Sequence, residues 1–376
     1  MTTDKRLRLR DLGPVIGHLP TGPLNAITDV PGVWVGQATV MKDEPRVART
    51  GVTIVLPREG RIWKEPAFAG FHSYNGSGEM TGMHWVAESG MLATPIAITN
   101  TAQVGTVHEA LGMYAAEHGL TDDYVLPVVA ETYDGRLNDM AGLHLTREHV
   151  FQAIQSAGPG PVAEGCVGGG TGMICHEFKG GIGTASRLVE VPAGTFTLGA
   201  LVQANYGSRC DLRLDGVPVG REIPLERVPA ITEQAPPPSR SEDGSIIIIV
   251  ATDAPLLPFQ CKRLAQRAAT GLARTGGFGY NGSGDIFLAF ATGNRIDPCS
   301  EQPVPLAMLA NGQISPFFLA TAEAVEEAIW NALIAAETTT GFGGRTVHAI
   351  PHEDVARIWA KYRGQPAAPG PWRGAQ

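Results

Sequence analysis

A chain of 376 residues with 29 Lys and Arg against 37 Asp and Glu carries a net charge of −8. It has no basic run and no basic stripe interleaved with aromatics, which argues against a nucleic-acid partner. Its 47 Gly and 28 Pro are roughly a fifth of the chain, short of low-complexity disorder, so a folded body rich in tight turns is expected.

The N-terminal MTTDKRLRLRDLGPVIG is charged and lacks the apolar core of a signal peptide, and no stretch approaches about 18 apolar residues. A cytoplasmic protein without a membrane partner is expected. Short β-type runs follow at Gly32–Val40, Gly51–Leu56, Pro95–Ile98 and Val125–Val129, each bounded by turn formers. Helices are predicted from Thr106 to His118 and from Thr146 to Ser156, each with a threonine placed to cap and a glycine beyond. His108-Glu109 opens like a zinc-binding helix, but Gly112 stands where the second ligand is needed. Cysteines 166, 175, 210, 261 and 299 show no C-x-x-C spacing, so reduced thiols and no metal are expected.

The glycine-dense stretch Glu164–Arg187 contains GGGTG. It lacks the G-x-x-x-x-G-K-[ST] pattern and a clear strand-to-helix setting, so no nucleotide cofactor is expected. Strands Phe196–Gln203, Ile246–Val250 and Ile286–Phe290 and helices Pro258–Ala273 and Pro316–Glu337 complete the pattern. Strand-rich stretches with occasional helices and no regular βαβ alternation predict a layered α+β fold. The polar segment Pro229–Gly244 is the best candidate boundary, yet a core strand follows it directly and needs sheet neighbours. One domain over 1–376 with a processing loop fits better.

That junction carries the chemistry. PPPSRSEDG runs into SIIIIVATDAP, so Ser245 sits at the lip of a buried strand. A cut between Gly244 and Ser245 would give one residue both a hydroxyl and an α-amine of pKa about 7.7–8.0, a nucleophile and its base. The hexapeptide Tyr74-Asn75-Gly76-Ser77-Gly78-Glu79 returns as Tyr280-Asn281-Gly282-Ser283-Gly284-Asp285, which suggests two loops facing one site from opposite sheets. Ser283 and Asp285, two apart at a strand start, project to one side and could orient a neighbouring nucleophile such as Ser245. Asn205 ends a strand where a side-chain amide can stabilise an oxyanion. Glu131 could accept a substrate ammonium, with Tyr133 and Asp134 lining the same pocket. No serine lies in G-x-S-x-G and the ten histidines pick out no base.

The segments AITDVPGVWVGQATV (26–40), NTAQVGTVHEAL (100–111), ETYDG (131–135), GGGTGMICHEFKGGIGTASR (168–187), VQANYG (202–207), GSIIIIVATDAPLLPFQ (244–260) and RTGGFGYNGSGDIFLAF (274–290) together resemble the L-aminopeptidase/D-Ala-esterase/amidase family, the DmpA type, which includes the β-peptidyl aminopeptidases. The resemblance implies an αββα sandwich, similar to but topologically distinct from the N-terminal-nucleophile hydrolases. It implies a precursor that cuts itself into 1–244 and 245–376, fragments that stay together and assemble further as a homo-oligomer of heterodimers. Carried over, Ser245 is the nucleophile, Ser283 and Asp285 the orienting pair, Asn205 an oxyanion donor and Glu131 the amine holder. Some relatives carry Glu where Asp285 stands. Ser77 and Glu79 form a second-tier site element. The expected activity is release of an N-terminal residue from short peptides, amides or esters without cofactor or metal. The alternatives are β-peptidyl specificity, an acyltransferase of the ornithine acetyltransferase type, and a non-catalytic small-molecule-binding relative that never cuts.

Overall fold

The structure is a computed structural model that describes residues 6–121, 124–231 and 244–363. The strands are β1 (Trp34–Lys42), β2 (Ala48–Leu56), β3 (Ala67–Gly76), β4 (Met91–Leu92), β5 (Ile96–Asn100), β6 (Val128–Thr132), β7 (Ile174–Cys175), β8 (Phe178–Lys179), β9 (Gly181–Val191), β10 (Gly194–Asn205), β11 (Ser245–Thr252), β12 (Gly284–Ala291), β13 (Thr339–Thr340) and β14 (Thr346–Val347). The helices are α1 (Met83–Ser89), α2 (Val104–Glu117), α3 (Arg147–Gln155), α4 (Val219–Glu222), α5 (Pro258–Arg274), α6 (Ser315–Ile334) and α7 (His352–Arg363).

Two sheets stack face to face. One has the order β1-β2-β5-β6, the other β4-β3-β12-β11-β10-β9. The larger is antiparallel except at its centre, where β11 and β12 run parallel. Helices α2 and α3 cover the smaller sheet and α5 and α6 the larger, giving the expected αββα layering.

The run of isoleucines explains why β11 is central. Ile246, Ile248 and Val250 enter the core beneath the helices, whereas Ile247, Ile249 and Ala251 enter the core between the sheets. Side chains alternate across a strand, and only a strand apolar on both faces can be buried on both. Each of these side chains is fully buried, a contribution of roughly 1.5–3 kcal/mol per Ile or Val.

Several expectations need correction. The twin hexapeptides do not face each other from opposite sheets, because β3 and β12 are antiparallel neighbours in the larger sheet. Thr106 lies inside α2 and caps nothing. Asn100 instead accepts the Ala102 and Gln103 amides at 3.0 and 3.1 Å, opening the turn that leads into the helix. Thr146 does hold the N-cap position of α3, but its side chain makes no cap bond. The glycine-dense stretch Glu164–Arg187 holds a 3-10 turn at Gly168–Gly170, the short β7–β8 hairpin and, from Gly181, the start of the long strand β9. Most of the segment 229–244 lies outside the described residues. No helix among the described residues is long and apolar enough to cross a membrane.

Candidate active site

Three strand ends meet at Ser245. It opens β11, pairs with Asn205 at the end of β10, and pairs with Gly284 at the start of β12. Since Ile247 and Ile249 face the gap between the sheets, Ser245 shares that face, and Asn205 opposite it does too.

The Gly284 N–H lies 3.1 Å from Ser245 Oγ and 3.2 Å from the Gly244 carbonyl oxygen. One backbone donor therefore bridges the hydroxyl and the peptide carbonyl that precedes it. Such closeness needs glycine. A Cβ on Gly284 would come within 2.5 Å of the Ser77 carbonyl oxygen, and one on Gly244 within 2.5 Å of Tyr206 Cα.

The Ser283 hydroxyl donates to Asp285 Oδ2 at 2.6 Å, so the predicted pair shares one wall. Asp285 pairs with Ile246, which faces the helices, and its carboxyl leaves β12 on that side. Among the described residues no hydrogen bond joins Ser245 Oγ to Ser283 or Asp285, and the link runs through the Gly284 backbone. Asp285 is 2% exposed and its Oδ1 has no hydrogen-bond partner among the described residues. Burial pushes its carboxyl up to about 6, only partly offset by the Ser283 hydroxyl and the nearby Ile246 amide.

Asn205 is fixed at both ends of its amide. Its Oδ1 accepts the Ile174 N–H at 2.8 Å and its Nδ2 donates to the Tyr133 carbonyl at 3.0 Å. An amide nitrogen carries two hydrogens, so one remains to offer beside Ser245.

Glu131, on β6 of the other sheet, is buried. Its Oε1 accepts the Glu79 N–H at 3.0 Å and its Oε2 the Thr101 hydroxyl. Burial raises its pKa against those two bonds. A Cβ on Gly78 would lie 3.2 Å from Glu131 Oε1 and 3.0 Å from Gly284 Cα, so a single glycine separates this carboxylate from the strand end beside Ser245. Asp134 is almost wholly buried and pushed up to about 7, again by burial. Tyr133 is half exposed, and its phenol folds back over Gly135, so its carbonyl, not its ring, meets Asn205. Ser77 and Glu79 point their side chains outward and contribute backbone: the Ser77 N–H donates to the Ser283 carbonyl at 3.1 Å.

Four groups escaped the sequence reading. The Gly284 amide and Thr101 carry no pattern of their own, and the Ile174 amide acts through a hairpin distant in sequence. Asn75 stood in plain view inside the repeated hexapeptide. Among the described residues no cluster of three or more His, Cys, Asp or Glu is placed to hold a metal ion.

Residues 25–347 match the family described as peptidase family S58. A beta-peptidyl aminopeptidase of Sphingosinicella microcystinivorans is 46% identical over 96% of this chain and 94% of its own. The solved Burkholderia sp. beta-aminopeptidase superposes with a TM-score of 0.88 at 49% identity, covering 96% of this chain and 100% of that one. The Ochrobactrum anthropi L-aminopeptidase D-Ala-esterase/amidase, described as a prototype for the serine aminopeptidases and a variant of the Ntn hydrolase fold, does so at 0.85 and 44% identity, covering 94% and 98%. The chain belongs to peptidase family S58 and is a hydrolase of the aminopeptidase kind.

Proposed function

We propose that the chain cuts itself between Gly244 and Ser245, and that the freed Ser245 then releases the N-terminal residue of short peptides, amino-acid amides or esters. The observation that carries this is the Gly284 N–H shared between the Gly244 carbonyl oxygen and Ser245 Oγ. A donor so placed polarises the carbonyl beside the hydroxyl that attacks it. Oγ bonds to the Gly244 carbonyl carbon, the C–N bond breaks, and the nitrogen takes the hydroxyl proton to become the Ser245 α-amine. Water then hydrolyses the Gly244 ester and restores the hydroxyl.

In turnover the α-amine is the base. Glu131 holds the substrate ammonium, and Asn205 Nδ2 with the Gly284 N–H receives the developing oxyanion. The orphaned Asp285 Oδ1 supports the order of events. Among the described residues no cation compensates this buried carboxylate in the uncut chain, and cutting creates an ammonium one residue from Ile246, its register partner. Ser283 holds the other carboxylate oxygen. We take the enzyme to be cytoplasmic, without cofactor or metal, and an oligomer of two-fragment units.

Intact mass under denaturing conditions with N-terminal sequencing tests the reading. Two fragments in place of one 39.7 kDa chain, the smaller beginning Ser-Ile-Ile-Ile, are expected, and Ser245→Ala stays whole. A wild-type chain that stays whole, or a Ser245→Ala chain that matures, would sink it. Named relatives act on β-peptides, so matched L-α-, D-α- and β-aminoacyl anilides decide the substrate class.

A further inference from the structure

The repeated hexapeptide is used asymmetrically. Asn75 sends its side-chain amide into the turn that carries the second copy, where Nδ2 lies 2.6 Å from the Ser283 carbonyl oxygen, 2.7 Å from the Tyr280 carbonyl and 3.1 Å from Ser283 Oγ. The Asn281 carbonyl stands at 3.3 Å. Convergence of carbonyl oxygens fixes which end of the amide faces them. Two hydrogens take the two short bonds and the Ser283 hydroxyl receives a share of one.

The clamped carbonyls have no slack. The Tyr280 oxygen also accepts the Ser283 N–H at 2.8 Å, and the Ser283 oxygen the Ser77 N–H at 3.1 Å. Each carbonyl thus has both lone pairs engaged, so the turn cannot rotate without orphaning a polar group. The Ser283 hydroxyl, donating to Asp285 and accepting from Asn75, has one lone pair left. Asn281 holds the matching place in the other copy, but its side chain is exposed, and among the described residues only its carbonyl is engaged.

We propose that Asn75 is the positioning residue for Ser283: it clamps the 280–283 turn at both ends and sets the hydroxyl's orientation toward Asp285, whereas its twin Asn281 contributes nothing through its side chain. The inference rests on the reading that Ser283 and Asp285 serve the reaction of Ser245.

The test is a double-mutant cycle of Asn75→Ala and Ser283→Ala, with Asn281→Ala alongside, read as kcat and KM on an aminoacyl anilide, as the rate of cutting at Gly244, and as the pH profile. Asn75→Ala is expected to lower kcat by about 30-fold with KM within about 3-fold, and to cost less than about 2-fold once Ser283 is already Ala. The acid step belonging to Asp285, below that of the α-amine, moves to higher pH, because a Ser283 without the Asn75 donor is a weaker donor to Asp285. Asn281→Ala stays within about 2-fold of the parent. If a variant is cut too slowly for turnover to be followed, the cycle is read on the slow rate of cutting, with the same factors expected. Multiplying factors, a change confined to KM, equal losses at Asn75 and Asn281, or an Asn75→Ala chain that no longer melts cooperatively would overturn the proposal. A fully active Ser283→Ala would instead overturn the role given to Ser283 itself, and the positioning role with it.

Discussion

Asp285 offers a prediction that separates stability from catalysis. Its carboxyl is buried, with one oxygen unpartnered among the described residues, and sits at about 6 instead of 3.8. Between those values the folded chain holds a proton that the unfolded chain has released, so folded stability falls as pH rises through that window. Above it the ionised carboxylate costs the fold about 3 kcal/mol, and about 2 kcal/mol of that arises between pH 4.5 and 8. Asp285→Asn keeps the shape and an acceptor for Ser283 but has no proton to lose. Both chains are made in a Ser245→Ala background, so that both stay uncut, and their urea midpoints are compared at pH 4.5 and 8 through a common slope. The amide variant should gain about 2 kcal/mol on the aspartate chain between the two pH values, and in the otherwise native chain it should lose turnover. An advantage identical at both pH values, or a loss at pH 8, would refute the claim that this carboxylate is held ionised without compensation.

Two further outcomes follow from the same contacts. Gly244→Ala places a Cβ 2.5 Å from Tyr206 Cα and 2.7 Å from the Asn205 carbonyl oxygen; neither atom can swing aside, so the approach to Gly284 is lost and cutting slows by about 10-fold or more, followed by gel electrophoresis. Glu131→Gln keeps the bonds to Thr101 and the Glu79 amide in reach but removes the charge, so KM for amine-bearing substrates should rise by about 10- to 100-fold with a smaller change in kcat, consistent with loss of a buried charged partner; an unchanged KM would take Glu131 out of the amine pocket.

How far the chain could be read without coordinates differs from element to element. The isoleucine run of β11 announces a doubly buried strand, and a serine at its edge stands out because polar residues there are unusual. Ser283 and Asp285 obey the two-residue period of a strand, so their contact was predictable. Strand β9 was not, because its glycines look like a loop and are there for packing: a Cβ on Gly183 would sit 2.0 Å from the Ala328 carbonyl oxygen of α6, so the helix lies directly on the strand backbone. The facing of the twin loops was misjudged since a repeat in sequence says nothing about which strands pair. The supports of Glu131 and Asn205 come from Thr101, Glu79 and Ile174, tens of residues away in the chain and mostly through main-chain amides, which no side-chain pattern encodes.

The strand order of the larger sheet has a consequence for the protein after maturation. The parallel pair β11–β12 would belong to the fragment beginning at Ser245, and its neighbours β3 and β10 to the other. Each fragment thus fills a gap in the other's sheet, and parting them means opening the central ladder on both sides together with the cores above and below. Dilution would not separate such halves, and their association has no ordinary interface to weaken. Unfolding, however, becomes a one-way event: a whole chain can search for its fold alone, whereas two released halves must first meet, so recovery slows as concentration falls. The cut that arms the nucleophile would exchange reversible folding for persistence set by the rate of opening.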